Sequence, residues 1–171
     1  MKKIQLLLLL ISWLFTGCTQ MQIHKNISKD FKSAKLKTVA IVPFENLTQT
    51  PLAGYSAASI SNVIMQSHGF KTEPIKLKPD PDEIFNENRF ERLELLNEIK
   101  KRKIPYALFG KVTEWRYKIG MDAEPIVGLI IEIVDTANNK VIYSATGSQS
   151  GTSKGALSTL SQSVLDKILP R

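Results

Sequence analysis

Cysteine is nearly absent from this sequence: the chain has one, Cys18. No intrachain disulfide is possible, even in an oxidising compartment. Histidine is almost as scarce, with only His24 and His68. Neither has Cys, Asp or Glu at metal-ligand spacing, and a Ser-His-Asp nucleophile would have to recruit His68, which nothing in the sequence supports. Long hydrophobic runs are missing too. The apolar stretch from Ile4 to Phe15 is broken by Gln5 and Ser12 and falls short of the roughly 20 residues a spanning helix needs. The body of the chain also lacks charge of one sign. The formal net charge is +7, but Lys2 and Lys3 lie in the first residues and Lys25, Lys29, Lys32, Lys35 and Lys37 stand against Asp30 alone. From Thr38 to Arg171 the chain has 16 basic and 15 acidic residues. Such a body offers no basic surface to nucleic acid.

What is present begins at the N-terminus. Met1-Lys2-Lys3, an apolar run of about ten residues and the small pair Thr16-Gly17 form a secretory leader. The only cysteine follows directly. Leu14-Phe15-Thr16-Gly17-Cys18 resembles the bacterial lipoprotein box, with Phe15 standing where Leu is usual. The resemblance implies cleavage after Gly17 and acylation of Cys18, which supplies more than the two signals that stable anchoring takes. Thr19 is not the Asp of the inner-membrane retention signal, so the outer membrane is the expected site. Residues 18–36 then read as a lipidated tether whose lysines favour anionic head groups. Part of it, through Met21, Ile23, Ile27 and Phe31, has the pattern of a short docking segment. Residues 37–171 read as one domain.

Within that domain, Thr38–Val42 is a short β-branched run stopped by Pro43, the mark of a buried strand. Helical spacing follows from Leu52 to His68, with Ile60, Val63 and Ile64 sharing a face with Tyr55 or Ser56, and Gly69 as the C-terminal cap. Phe70–Leu77 reads as a strand that Pro74 confines to an edge. Phe90, Leu93, Leu96 (or Leu95) and Ile99 mark a second helix, with Lys100, Lys101, Arg102 and Lys103 at its C-terminal end and Pro105 beyond. Tyr106–Tyr117, Pro125–Val134 and Val141–Gln149 form an antiparallel meander. Ser153 can cap a last helix carrying Leu157, Leu160, Val164 and Ile168 on one face. The order β-α-β-α-β-β-β-α predicts an α/β fold with helices packed on a mixed, largely antiparallel sheet.

The sequence holds little that carries chemistry. Asp80, Asp82 and Glu83 sit between prolines without glycine, a turn rather than a cation loop. Gly147–Lys154 lies between strand and helix, where a phosphate loop would, but its lysine spacing is wrong. No catalytic residue, metal or cofactor is expected. Trp115 and Tyr117 alternate onto one strand face; core packing is the default for such a pair, and half-wet contact the alternative.

Two sets of residues resemble a known family. Val39-Ala40-Ile41-Val42-Pro43-Phe44-Glu45-Asn46-Leu47-Thr48, followed by Pro51-Leu52-Ala53-Gly54, resembles the opening of the curli-secretion-lipoprotein-like α/β fold. Glu124-Pro125-Ile126-Val127-Gly128-Leu129, Val134-Asp135, Val141–Gly147 and Ser150-Gly151 are similar to the PelC family of outer-membrane lipoproteins from Pel exopolysaccharide export. The resemblance implies a non-enzymatic ring, a dodecamer, on the periplasmic face of the outer membrane. It also implies an electronegative lumen that guides a cationic polysaccharide to a β-barrel porin. The family pattern has Trp after the last Ser-Gly where this chain has Thr152, so Trp115 and Tyr117 become the candidate membrane-contact aromatics. Asp122 and Glu124, in the loop after Tyr117, become the candidate polymer-facing acids, expected on the face opposite the lipid. The alternative is an outer-membrane lipoprotein of similar fold that activates a peptidoglycan synthase.

Overall fold

The computed structural model describes residues 21–29, 31–33, 36, 38–75, 92–120 and 123–171. The leader, Cys18, the Asp80–Glu83 turn, Phe90 and Asp122 lie outside the described residues. The architecture is a seven-stranded mixed sheet with helices on both faces; the sequence order predicts the α/β class and five of the strands, and the two it misses lie at Gln22–Ile27 and Glu45–Asn46. Strands β1 (Gln22–Ile27), β2 (Thr38–Ile41), β3 (Glu45–Asn46), β4 (Lys71–Pro74), β5 (Tyr106–Tyr117), β6 (Pro125–Asp135) and β7 (Lys140–Ser150) alternate with α1 (Ala53–Ser67), α2 (Arg92–Lys101) and α3 (Leu157–Ile168).

The sheet order is β1-β7-β6-β5-β2-β4, with β3 pairing β5 beyond the end of β2. Strand β2 runs parallel to both β4 and β5, so α1 and α2 serve as crossovers. Strands β5, β6 and β7 form the expected antiparallel meander. Strand β4 is an outer strand, the position that Pro74 requires.

Alternation along the strands separates two cores. Val39, Ile41, Leu108, Leu129, Ile131 and Ile133 face α1 and α3. Ala40, Val42 and Ala107 face the other way, where they cluster with Leu95 and Ile99 of α2; Leu96 of the same helix is also buried. Helix α3 buries Leu160, Val164 and Ile168 as its spacing predicts.

Four sequence expectations need correction. The segment read as a tether contributes strand β1, paired antiparallel to β7 from Gln22↔Ser148 to Ile27↔Tyr143. Its pairing is main-chain hydrogen bonding at a polar sheet edge, and of the four apolar residues that suggested docking, Met21, Ile23 and Phe31 pack against the core while Ile27 is exposed. In α1, Val63 is 63% exposed and Tyr55 is also exposed, while Ala57, Ala58, Ser61, Ile64 and Met65 are buried. The small residues win because the helix lies close to the strand layer: a Cβ on Gly54 would stand 2.0 Å from the Phe44 carbonyl oxygen. In α2, Leu93 faces solvent and Leu95 joins Leu96 inside. Helix α3 begins at Leu157 after Ala156, with no side-chain cap, so Ser153 does not cap it. Gly69, by contrast, ends α1 as expected, at φ 88.

Candidate functional site at one end of the sheet

The registers decide which loops share an end. Gln22 pairs Ser148, Ile126 pairs Ser150 and Tyr117 pairs Pro125. The start of β1, the loop 118–124 and the loop after β7 therefore lie together. Strand β3 runs parallel to β5, with Asn46 opposite Val112, so the loop 47–52 arrives at the same end.

That loop is held by a polar relay. Asn46 Nδ2 donates to the Thr50 carbonyl at 2.8 Å, and Asn46 Oδ1 accepts from the Thr48 hydroxyl at 2.8 Å and its amide at 3.1 Å. The Thr50 hydroxyl donates to the Trp115 carbonyl at 2.5 Å, which ties the loop to the end of β5. Leu52 is then turned outward at φ 60, a left-handed conformation costly for a bulky side chain and found where surrounding structure enforces it. Leu47, Leu52, Tyr55 and Tyr117 are all exposed, and Ile119 is wholly so. The loop after β7 rests on Pro125, whose carbonyl accepts from the Gly151 amide at 2.8 Å; Thr152 is exposed beside it.

The sequence-derived residues fall unevenly on this end. Trp115 and Tyr117 do share a face, but Trp115 is 6% exposed within the core beneath α1 and α3. Its ring is a core group, so only Tyr117 of the pair can meet a membrane. Glu124 lies here with its carboxylate 2.6 Å from Lys118 Nζ, and its carbonyl accepts from the Lys118 amide at 2.8 Å. The ion pair offsets its charge. Through the strand partners just named, Glu124 shares an end with the start of β1, the described element nearest Cys18 in the chain. The family resemblance sets this acid opposite the lipid; strand direction places it at the same end as the start of β1.

At the other end stands a residue that spacing could not find. His68 closes α1 and is nearly buried; its Nε2 lies 2.9 Å from Asp166 Oδ1 and its Nδ1 2.7 Å from the Pro170 carbonyl. Hydrogen bonding to His68, and then the charge and hydrogen bond of Arg171, hold the Asp166 carboxyl below the usual carboxylate range, against an opposing effect of burial. The pair spans 98 residues, so no local motif betrays it. Both ring nitrogens are engaged by this fold contact, leaving neither to activate a nucleophile. Among the described residues, no three His, Cys, Asp or Glu side chains gather as a metal site, and no helix is long and apolar enough to cross a membrane.

Solved structures with this architecture include PelC dodecamers. The PelC dodecamer from Paraburkholderia phytofirmans superposes with a TM-score of 0.72 at 29% identity, covering 87% of this chain and 94% of that one. This chain is PelC-like. A point variant of the same PelC, also a dodecamer, gives a TM-score of 0.70 at 29% identity over 87% and 95% of the two chains. Lipoprotein GNA1162 from Neisseria meningitidis shares the fold at a TM-score of 0.56 and 17% identity, over 77% of this chain and 96% of that one. No family model matches the sequence, and no curated protein matches it.

Proposed function

We propose that this PelC-like chain is a lipid-anchored, non-catalytic subunit of a homo-oligomeric ring in exopolysaccharide export. The ring sits on the periplasmic face of the outer membrane and passes a cationic polymer of the Pel type to a β-barrel porin. The observation that carries this reading is the likeness to PelC, a dodecamer, over 87% of the chain at a TM-score of 0.72.

The acyl chains on Cys18 set the orientation. From Cys18 to Gln22, the first residue of β1, the extended chain reaches at most about 14 Å. The β1-start end therefore faces the bilayer. Its exposed Leu47, Leu52, Tyr117 and Ile119 suit the boundary between head groups and acyl chains, where amphipathic aromatics and aliphatic tips settle. They stand in for the tryptophan that Thr152 replaces. Asp122 and Glu124 then line the membrane-side mouth of the ring, where the polymer leaves for the porin. Lys118 offsets Glu124, and Asp122 adds a second carboxylate to each subunit's loop. Closed symmetry repeats that charge around one opening, and an opening lined by one sign of charge concentrates the opposite one. Screening over about 8 Å at physiological ionic strength keeps the attraction short-ranged, so the polymer is guided without being trapped.

The test is the mass of the acylated protein in a lipid nanodisc or mild detergent. A dodecamer is expected; a monomer at high concentration overturns the ring and returns the chain to the synthase-activator reading. In cells, Asp122→Asn with Glu124→Gln should lower polymer export at unchanged protein level and oligomer mass. Normal export from that variant removes both acids from the path.

A further inference from the structure

Where β1 stops, a cavity of about 410 Å³ opens between β1, β7 and the segment Leu169–Arg171 that follows α3. Its volume lies in the range of roughly 300–1,000 Å³ common for small-ligand sites. The floor is apolar. Ile27 is 54% exposed there, and the rings of Phe31 and Tyr143 stand 5.0 Å apart. The rim is cationic, formed by Lys25, Lys167 and Arg171.

Asp166 is the one acidic side chain among the described residues that line the cavity, and both of its oxygens are taken. Oδ1 meets His68 and Oδ2 accepts from Arg171 Nη2 at 2.7 Å. It thus compensates Arg171 and leaves Lys25 and Lys167 with no acidic side chain paired to them among the described residues. Desolvation, and then the Arg171 charge, hold the Lys25 ammonium below its usual pKa. An ammonium beside another cation gains from an incoming anion.

The walls are already in place. The His68 Nδ1 contact fixes Pro170, the Ser33 hydroxyl donates to the Arg171 carbonyl at 2.5 Å, and the Tyr143 hydroxyl donates to the Ile168 carbonyl at 2.5 Å. A ligand entering here orders little of the protein, so little of its binding energy is lost to ordering the site.

We propose that this cavity binds a small anionic amphiphile, one phosphate or carboxylate group held by Lys25 and Lys167 on a ring or short aliphatic body that lies against Ile27 and Tyr143. The site does not depend on ring assembly or polymer export. Nor is its ligand a head group of the anchoring bilayer, because the length of β1 carries the cavity about 17 Å from the β1-start end.

The probe is phenyl phosphate, titrated into the isotope-labelled mature chain carrying Cys18→Ser and followed by NMR. The amides of Lys25, Ile27 and Tyr143 should shift together and saturate. Inorganic phosphate should bind about tenfold or more weakly, because it forfeits the apolar floor. Lys25→Gln with Lys167→Gln should weaken phenyl phosphate by about tenfold, the loss expected for charge-assisted hydrogen bonds, with spectral dispersion and melting temperature unchanged. The proposal is overturned by the absence of saturable shifts at those amides. Equal affinity for inorganic phosphate overturns it as well, as does undiminished binding by the folded double variant.

Discussion

Where β1 starts, loops turn Leu47, Leu52 and Ile119 out to solvent beside the short chain to Cys18. Where β1 stops, Lys25, Lys167 and Arg171 ring an aromatic floor, and His68 fastens α1 to the segment after α3. The same strands finish in different chemistry at their two ends. The first end is made of loops kept in shape by their own hydroxyl and amide groups, with apolar tips left uncovered. The second is made of element termini drawn together by long-range contacts, with charge left uncompensated. One sheet core carries both ends and is indifferent to what each displays, which is how one small domain can present an exposed apolar tip and a separate cationic cavity.

The largest break in this comparison comes from Cys18→Ser. Without acylation the first end has no anchor, and the protein should leave the membrane fraction entirely. Metabolic labelling with a palmitate analogue checks it, and label retained by the variant would refute acylation at Cys18.

Next comes Gly54→Ala, which acts on the first end through packing. The added Cβ would stand 2.0 Å from the Phe44 carbonyl oxygen, so α1 or the Phe44 backbone must move. Overpacking of this kind costs about 3 kcal/mol, read as a lowered denaturation midpoint at unchanged m-value. The Asn46–Thr50 relay begins just beyond Phe44, so Leu52 should lose its fixed exposure and hydrogen exchange should quicken across residues 47–52. His68 and the second end should be untouched. A stability loss spread equally over both ends would mean that the two are coupled through the sheet.

The sheet meander, both crossover helices and the last helix were legible because their apolar residues recur at periods of two or near four, as in Val127, Leu129, Ile131 and Ile133 or Leu157, Leu160, Val164 and Ile168. Strand β1 was hidden because edge pairing is made by the backbone and lets His24 and Lys25 be polar. The burial of α1 was hard to read because Ala57, Ala58 and Ser61 carry small weight in a hydrophobic pattern yet permit the closest approach. At the candidate site, the loop holding Asp122 and Glu124 was legible as a loop, but which end of the molecule it occupies depends on strand direction, a property no local spacing encodes. The His68–Asp166 contact joins residues from two helices, and only the assembled fold brings them together.

The smallest expected effect sits at the second end and depends on pH. Asp166 has its carboxyl pKa depressed, first by the hydrogen bond to His68 and then by Arg171. A carboxylate whose folded pKa lies below its unfolded value of 3.8 contributes stability that is fully present above that unfolded value. The contribution is lost as pH falls through the folded pKa. The window is therefore acidic, beginning near the unfolded value and extending below it. Because the Asp166 side chain is 41% exposed, water screens the pair, and the contribution should be no more than about 1 kcal/mol. Asp166→Asn keeps the side chain's size and its capacity to accept from His68, and removes the charge. Denaturation midpoints of the two proteins should differ modestly at about pH 6 and converge as pH falls through the window. Salt should shrink the difference at the higher pH, as screening of an exposed pair requires. A difference that persists unchanged at the acid end would assign the effect of Asp166 to packing rather than to charge. Removing the Asp166 charge also leaves the cavity with a third uncompensated cation, Arg171, so phenyl phosphate should bind the Asp166→Asn protein more tightly than the native one.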